Sequence, residues 1–236
     1  QNGIERILSK VDISKLDQKS RTNFFSDLQY HLQNPHHPTD GTLCAHFDNY
    51  KPATDSQRRA QLYARKFVGI NDAVTPAGIL FYGPSGTGKT HLARAIAIKY
   101  LRAGWSVNYV SPKNGPRREY TEDGKLVPVH PRPGQLWIFD NINPTNMDIN
   151  VRDYFVRVVT EVIDNGGRIV VTSVKDDYEG WSNQMLGING VFMEDKRRLK
   201  AEIEGMLKPY KIEGPNHRVQ TAWYADAWRE IEQQQK

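Results

Sequence analysis

Short apolar runs alternate with helical patterns along most of the chain. Runs rich in β-branched and aromatic residues predict strands at residues 78–82, 105–110, 135–139, 168–172 and 210–212. Apolar residues at helical spacing predict helices at residues 56–68, 89–103, 151–164, 195–206 and 219–234. This alternation is typical of a mostly parallel central sheet covered by helices, so the sequence predicts an α/β fold.

The first part of the chain has a different texture. Residues 1–45 contain short helical patterns separated by breakers, and they close with the Pro- and His-containing stretch 34–38. We therefore expect a small helical appendage and linker over residues 1–45 and the main domain over residues 46–236. At the start of the helix predicted for residues 56–68, Asp55 is the expected N-cap.

Composition and charge narrow the class of protein. The length of 236 residues fits one core domain with a short appendage better than two full domains. Hydrophobic residues make up 38% and charged residues 25%, which is ordinary for a soluble globular protein. The formal net charge of +5 suits a nucleic-acid partner but is also common in proteins without one. The single cysteine, Cys44, cannot form an internal disulfide, and no signal peptide or bilayer-spanning run is evident, so we expect a cytoplasmic location.

The most specific motif lies between the strand predicted at 78–82 and the next helix. It consists of Gly83, Pro84, Ser85, Gly86, Thr87, Gly88, Lys89 and Thr90, with His91 next in the chain. The motif fits the P-loop pattern at every required position, and we expect all nine residues to bind nucleotide. Lys89 is expected to reach the β- and γ-phosphates and Thr90 to bind Mg²⁺. A glycine turn with a purely structural role would not need Lys and Thr here, so ATP and Mg²⁺ are the predicted cofactors.

A second element of the nucleotide site, an acidic residue, is expected at the end of another apolar strand. Asp140 follows the strand predicted at 135–139 and is expected to hold Mg²⁺ together with Thr90. The next residue is Asn141, at a place where many such ATPases have a glutamate that activates the attacking water. An amide can orient water but cannot accept its proton. We therefore expect hydrolysis to be slow or to depend on a partner.

Together these residues resemble the AAA+ ATPases of the DnaC/IstB type, which are bacterial helicase loaders and transposition ATPases related to the initiator DnaA. The resemblance covers roughly residues 47–218 and rests on the order and spacing of several pieces. These are residues 47–50, 57–60, 83–97, 136–140, 169–173, Trp181, 198–199 and 212–215. Members of this family resemble the chain in that they end soon after one further helix. The resemblance therefore implies a P-loop domain of AAA+ type with no large C-terminal lid.

The resemblance also implies a homo-oligomer in which each subunit offers an arginine in trans to its neighbour's γ-phosphate. Arg198 matches the family position and Arg197 is the second choice, whereas a solvated basic face is the alternative for this charge run. The family usually senses the γ-phosphate near the end of its fourth strand. Here that sensor is Thr172 or Ser173, or it is missing.

A long excursion over residues 111–134 separates two of the predicted strands. It is rich in Pro and Gly and is expected to form an extended hairpin or loop. Its candidates for contact with single-stranded DNA are Lys113, Arg117, Arg118 and Lys125. Acidic residues dilute this charge, so a plain solvated loop is an equal alternative.

These features favour an ATPase that assembles on DNA under the control of ATP. The leading function is that of a helicase loader or a transposition or replication accessory ATPase, with a replicative helicase or a transposase as protein partner. The alternative is a nearly non-hydrolysing, ATP-ordered scaffold in a viral, phage or defence assembly. A small-substrate kinase shares the P-loop but is disfavoured, because no lid with substrate-binding arginines is evident.

Overall fold

The computed structural model describes residues 45–48, 50–69, 77–103, 105–110, 118–120, 125–128, 131–147, 149–185 and 193–216. The α-helices in these ranges are α1 (Asp55–Gly69), α2 (Lys89–Arg102), α3 (Ile149–Asp164), α4 (Tyr178–Met185) and α5 (Met193–Met206). The strands are β1 (Gly78–Tyr82), β2 (Ser106–Val110), β3 (Arg118–Tyr120), β4 (Leu126–Pro128), β5 (Gln135–Phe139), β6 (Arg168–Thr172) and β7 (Leu207–Lys211). A short 3-10 turn covers Pro144–Asn146. The predicted appendage over residues 1–45 and the helix predicted at 219–234 lie almost wholly outside the described residues.

Five parallel strands form the central sheet in the order β2-β5-β6-β1-β7. Because the strands are parallel, the carboxyl ends of β1, β5 and β6 meet at one edge of the sheet. In the strand order, β2, which follows β1 in the chain, lies on one side of β1, whereas β7 lies on the other side. Ligands in open α/β sheets bind at such a change of direction, so this edge is where a site is expected.

Both faces of the sheet are buried, as parallel strands require. On β1, Ile79 and Phe81 pack towards α1 and α2, and Leu80 packs towards α3. The neighbouring strands alternate in the same way, so their nearly continuous apolar runs fill two separate cores. This double burial fixes the register of β1, because a slip by one residue would exchange the two sets of side chains.

The predicted α/β fold is confirmed. The strands at 78–82, 135–139 and 168–172 have the predicted bounds, and most other boundaries agree within two residues. The hairpin alternative for residues 111–134 is also confirmed, since β3 and β4 pair antiparallel with Arg118 opposite Pro128 and Tyr120 opposite Leu126. Among the described helices, none is long and apolar enough to cross a membrane.

One predicted strand needs correction, and one helix was missed. The strand predicted at 210–212 is β7, which begins three residues earlier at Leu207. It was misplaced because β7 is an edge strand with exposed lysines and a proline, which edge strands tolerate. Helix α4 was not predicted because its eight residues give little periodic signal. Its N-terminus is capped by Asp177, whose carboxylate accepts hydrogen bonds from the backbone N–H groups of Glu179 (3.1 Å) and Gly180 (2.9 Å).

The predicted N-cap of α1 is also wrong. Asp55 is the first helical residue, and Thr54 is the cap: its Oγ1 accepts a hydrogen bond of 3.3 Å from the Gln57 backbone N–H. The Gln57 Oε1 in turn accepts from the backbone N–H groups of Thr54 (3.2 Å) and Ala53 (2.7 Å). Threonine and glutamine three residues apart thus form a capping box, which satisfies N–H groups on both sides of the helix start.

Candidate nucleotide-binding site

The glycine-rich loop after β1 joins the sheet to the N-terminus of α2. Gly83, Gly86 and Gly88 have φ angles of +124°, +80° and +95°, a region that glycine adopts without steric cost. Gly88 is the N-cap of α2 and has no side chain that could cap the helix, and the first turn of α2 contains no acidic residue. The first N–H groups of a helix lack intrahelical acceptors and carry the positive end of the helix dipole. The loop therefore presents backbone N–H donors and positive potential to an anion.

Lys89 is buried and its ammonium group lies inside this loop. The Lys89 Nζ donates hydrogen bonds to the carbonyl oxygens of Gly83 (2.8 Å) and Pro84 (2.5 Å). Thr87 tightens the same turn, because its Oγ1 donates to the Pro84 carbonyl over 3.0 Å. A buried cation held by neutral carbonyls is suited to exchange them for phosphate oxygens.

Asp140 lies directly after β5, beside the start of α2. Its Oδ1 accepts hydrogen bonds from the hydroxyls of Thr90 (2.8 Å) and Thr172 (2.6 Å). Its Oδ2 accepts a hydrogen bond from the Tyr109 hydroxyl. The structure thus brings Thr90 and Asp140, predicted from separate motifs, into direct contact. A threonine hydroxyl and a carboxylate are the hard oxygen donors that suit Mg²⁺, so this pair fits the predicted metal.

Tyr109 is a member of this site that the sequence analysis did not identify. It lies near the end of β2, and burial and the neighbouring Asp140 carboxylate raise its pKa well above the ordinary tyrosine value. The Arg94 guanidinium, one turn after Thr90 on α2, acts in the opposite direction but is outweighed. Tyr109 therefore stays protonated at neutral pH and can only donate to the carboxylate.

The residue after Asp140 has an unusual backbone. Asn141 has φ +60° and an exposed side chain, and its backbone N–H donates a hydrogen bond of 2.8 Å to Thr172 Oγ1. Asparagine is among the few non-glycine residues that tolerate this left-handed conformation. Of the two predicted sensor residues, Thr172 is buried against Asp140, and the buried Ser173 Oγ accepts a hydrogen bond of 3.1 Å from the Lys175 N–H.

The chain before α1 and the first turn of α1 support the loop from the side, a role that the sequence did not indicate. The Tyr50 hydroxyl and the Gln57 Nε2 donate hydrogen bonds to the Thr87 carbonyl over 3.3 Å and 3.2 Å. A side chain at Gly88 would meet the Tyr50 ring, since an added Cβ would lie 2.5 Å from its Cε2. His91, predicted to bind nucleotide, turns its ring towards this support: its Nε2 lies 3.0 Å from the His46 carbonyl oxygen.

The other predicted residues lie apart from the loop in the chain. Arg198 belongs to α5, whose backbone is described at this position. Arg118 begins β3, and the exposed Lys125 immediately precedes β4. Lys113 and Arg117 lie outside the described residues. The arginine-finger and DNA-binding roles of these side chains therefore remain predictions.

Comparison with known proteins agrees with this site. The sequence profile of the IstB-like ATP binding protein family matches residues 31–189. A putative ATP-binding protein of insertion sequence IS5376 from Geobacillus stearothermophilus is 28% identical over 130 residues, covering 53% of this chain and 49% of that protein. The chromosomal replication initiator DnaA of Campylobacter jejuni is 29% identical over 100 residues, covering 40% of this chain and 22% of DnaA. The chain thus spans about half the length of the insertion-sequence relative and less of DnaA.

Solved structures share the fold. The crystal structure of DnaI has a TM-score of 0.51 and 19% identity, and the match covers 74% of this chain and 91% of DnaI. The DnaC helicase loader also has a TM-score of 0.51, with 20% identity over 72% of this chain and 97% of its own. The fold is thus that of AAA+ P-loop domains. Because the family profile matches more than half of the chain, this protein belongs to the IstB-like ATP-binding protein family.

Proposed function

We propose that this protein binds ATP with Mg²⁺, assembles on DNA in the ATP-bound state and acts as an accessory ATPase in transposition or replication, as a helicase loader does. The observation that carries the proposal is the cluster of Lys89, Thr90 and Asp140 at the carboxyl edge of the sheet. The similarity to an insertion-sequence ATP-binding protein and to a helicase loader favours a transposase or a replicative helicase as partner.

Nucleotide binding uses groups that are already in place. Lys89 would leave the carbonyls of Gly83 and Pro84 for the β- and γ-phosphate oxygens, and the N–H groups at the start of α2 would hold the phosphates. Thr90 would bind Mg²⁺ directly and Asp140 would hold it through its water shell. The metal neutralises phosphate charge when it is bound.

The site has fewer of the groups needed for ATP hydrolysis than of those needed for nucleotide binding. The exposed amide of Asn141 can orient a water molecule, but it cannot take its proton. Thr172 contacts Asp140 and the Asn141 backbone, so we expect it to position these residues and to sense the γ-phosphate through them. Arg198 of a neighbouring subunit would supply positive charge in trans. From this set of groups we expect slow ATP hydrolysis whose rate increases when subunits assemble.

The hairpin of β3 and β4 is the proposed contact with single-stranded DNA. Arg118 starts one strand and Lys125 precedes the other, so both belong to the same two-stranded element. A hairpin that carries cations can follow a phosphate backbone without reading its sequence.

A second candidate is a nearly non-hydrolysing scaffold, for example in a viral, phage or defence assembly. The observation that favours it is Asn141, because the loop that binds nucleotide is complete whereas the general base is absent from its usual place. In this case ATP would order an oligomer and stay intact.

The two candidates differ in the fate of ATP. ATP hydrolysis and oligomer mass should be measured together, with and without single-stranded DNA, on the wild type and on Lys89→Ala. DNA-stimulated turnover together with ATP-dependent assembly, both lost in Lys89→Ala, supports the accessory ATPase. Assembly with intact ATP under every condition supports the scaffold, and a lack of ATP binding contradicts both.

A further inference from the structure

The Asp140 carboxylate is held from two sides by hydroxyl groups. Thr90 and Thr172 donate to Oδ1 over 2.8 Å and 2.6 Å, and Tyr109 donates to Oδ2. Tyr109 and Asp140 are both buried, with relative exposures of 3% and 8%. The donors come from α2, from β6 and from the edge strand β2.

Donors on both oxygens fix the rotation of a carboxylate about its Cβ–Cγ bond. If Oδ2 lost its donor, the group could turn, and the contact between Oδ1 and the Thr90 hydroxyl would no longer be set by geometry. Groups that orient a metal-binding carboxylate in this way typically change metal affinity by about 10- to 100-fold when they are removed.

We infer that Tyr109 is a positioning residue that holds Asp140 in the orientation needed for Mg²⁺. This inference rests on the proposed function, because it concerns the same Mg²⁺ site. Tyr109 would act through Asp140, to which it donates a hydrogen bond, so its proposed role is positioning rather than catalysis. The competing explanation is that Tyr109 is an ordinary core tyrosine whose hydroxyl needs an acceptor once it is buried.

Tyr109→Phe separates the two explanations because it removes one oxygen and keeps the ring. The matched control is Tyr100→Phe: Tyr100 is also buried, and its hydroxyl donates to the Phe67 carbonyl over 3.4 Å, away from Asp140. Binding of a fluorescent ATP analogue should be titrated against Mg²⁺ and repeated in EDTA, and the melting temperature of each variant should be recorded.

We expect Tyr109→Phe to raise the Mg²⁺ concentration for half-maximal enhancement of nucleotide binding by about 10-fold. Its nucleotide affinity in EDTA should stay within about twofold of the wild type, because the phosphate-binding loop is untouched. Tyr100→Phe should leave both quantities unchanged. In an Asp140→Asn background, Tyr109→Phe should have no further effect on the Mg²⁺ titration, since the two residues act as one unit.

Other results would overturn the inference. An unchanged Mg²⁺ midpoint in Tyr109→Phe, or equal loss of affinity with and without Mg²⁺ together with a lower melting temperature, would mean that Tyr109 only packs. A wild type whose nucleotide binding is insensitive to Mg²⁺ would contradict the proposed magnesium site itself. The wild-type titration therefore distinguishes failure of the proposed function from failure of the positioning role.

Discussion

The loop after β1 and the turn after β5 lie side by side, yet they are prepared for different tasks. In the loop, left-handed glycines, a helix N-terminus and a buried lysine all suit phosphate binding. In the turn, Asp140 is held by three hydroxyls, but the next side chain is the neutral amide of Asn141. If the proposed function holds, nucleotide binding and ATP turnover depend on different residues of neighbouring segments, and one can be retained without the other.

The largest expected effect comes from restoring a base in the turn. Asn141→Glu should raise the rate of ATP hydrolysis in the presence of single-stranded DNA by about 100-fold or more, because a general base contributes on that order. The left-handed backbone at φ +60° should make this variant less stable by about 1 kcal/mol. Phosphate release and thermal melting measure the two effects.

Asn141→Gln is the control, since it has the length of glutamate but no base. Its rate should match that of the wild type. Equal rates for Asn141→Glu and Asn141→Gln would show that the missing base does not limit turnover and would remove the contrast between the two regions.

Removing the buried lysine tests the phosphate-binding loop after β1. Lys89→Ala should weaken ATP binding by about 10- to 100-fold, because hydrogen bonds from a charged group contribute about 1.5–3 kcal/mol each. Isothermal titration calorimetry gives the affinity. Lys99→Ala removes an exposed lysine from the same helix and should bind ATP like the wild type. Similar affinities for the two variants would mean that Lys89 does not contact phosphate.

Substitutions in the β3–β4 hairpin should have a smaller, salt-dependent effect on DNA binding. Replacing Lys113, Arg117, Arg118 and Lys125 by alanine should weaken single-strand binding by about 10-fold at low salt and lower the slope of log affinity against log salt by up to roughly 3. Fluorescence anisotropy over a salt series measures both.

The matched control removes four exposed cations from α1, namely Arg58, Arg59, Arg65 and Lys66. Net charge changes equally in the two variants, so an equal loss of DNA affinity would indicate a general electrostatic effect rather than a hairpin contact. An unchanged affinity in the hairpin variant would exclude that surface.

The smallest expected effect concerns the support beneath the loop. Gln57→Ala should lower stability by about 1–2 kcal/mol, because it removes both the capping box and the bond to the Thr87 carbonyl. Gln57→Glu keeps the acceptor for the capping box but loses the donor to Thr87, so chemical denaturation and ATP titration of both variants separate helix capping from loop support. If neither variant changes stability or ATP affinity, the loop holds its shape without the Gln57 side chain.

The sequence predicted those parts of the molecule that depend on local pattern. Strands β1, β5 and β6 are short apolar runs, and the loop up to Thr90 matches a fixed motif, so the strands and the loop could be predicted. Asp140 could be predicted as well, because it directly follows β5. Tyr109 and Gln57 were missed because their roles depend on strand order and on packing between distant segments. Tyr109 reaches Asp140 only because β2 lies next to β5, and nothing in the residues around Tyr109 indicates that neighbour.

The position of β1 in the sheet has a consequence for synthesis of the chain. Its two neighbours are β6 and β7, which follow it by roughly 90 and 130 residues of sequence. A chain truncated after β5 therefore holds the complete phosphate-binding loop but neither strand that flanks it, and we expect such a fragment not to bind ATP in an equilibrium assay. During translation, β1 leaves the ribosome roughly 90 residues before β6 and stays an unpaired apolar strand over that interval. That interval is when the nascent protein is most exposed to aggregation and most dependent on chaperones.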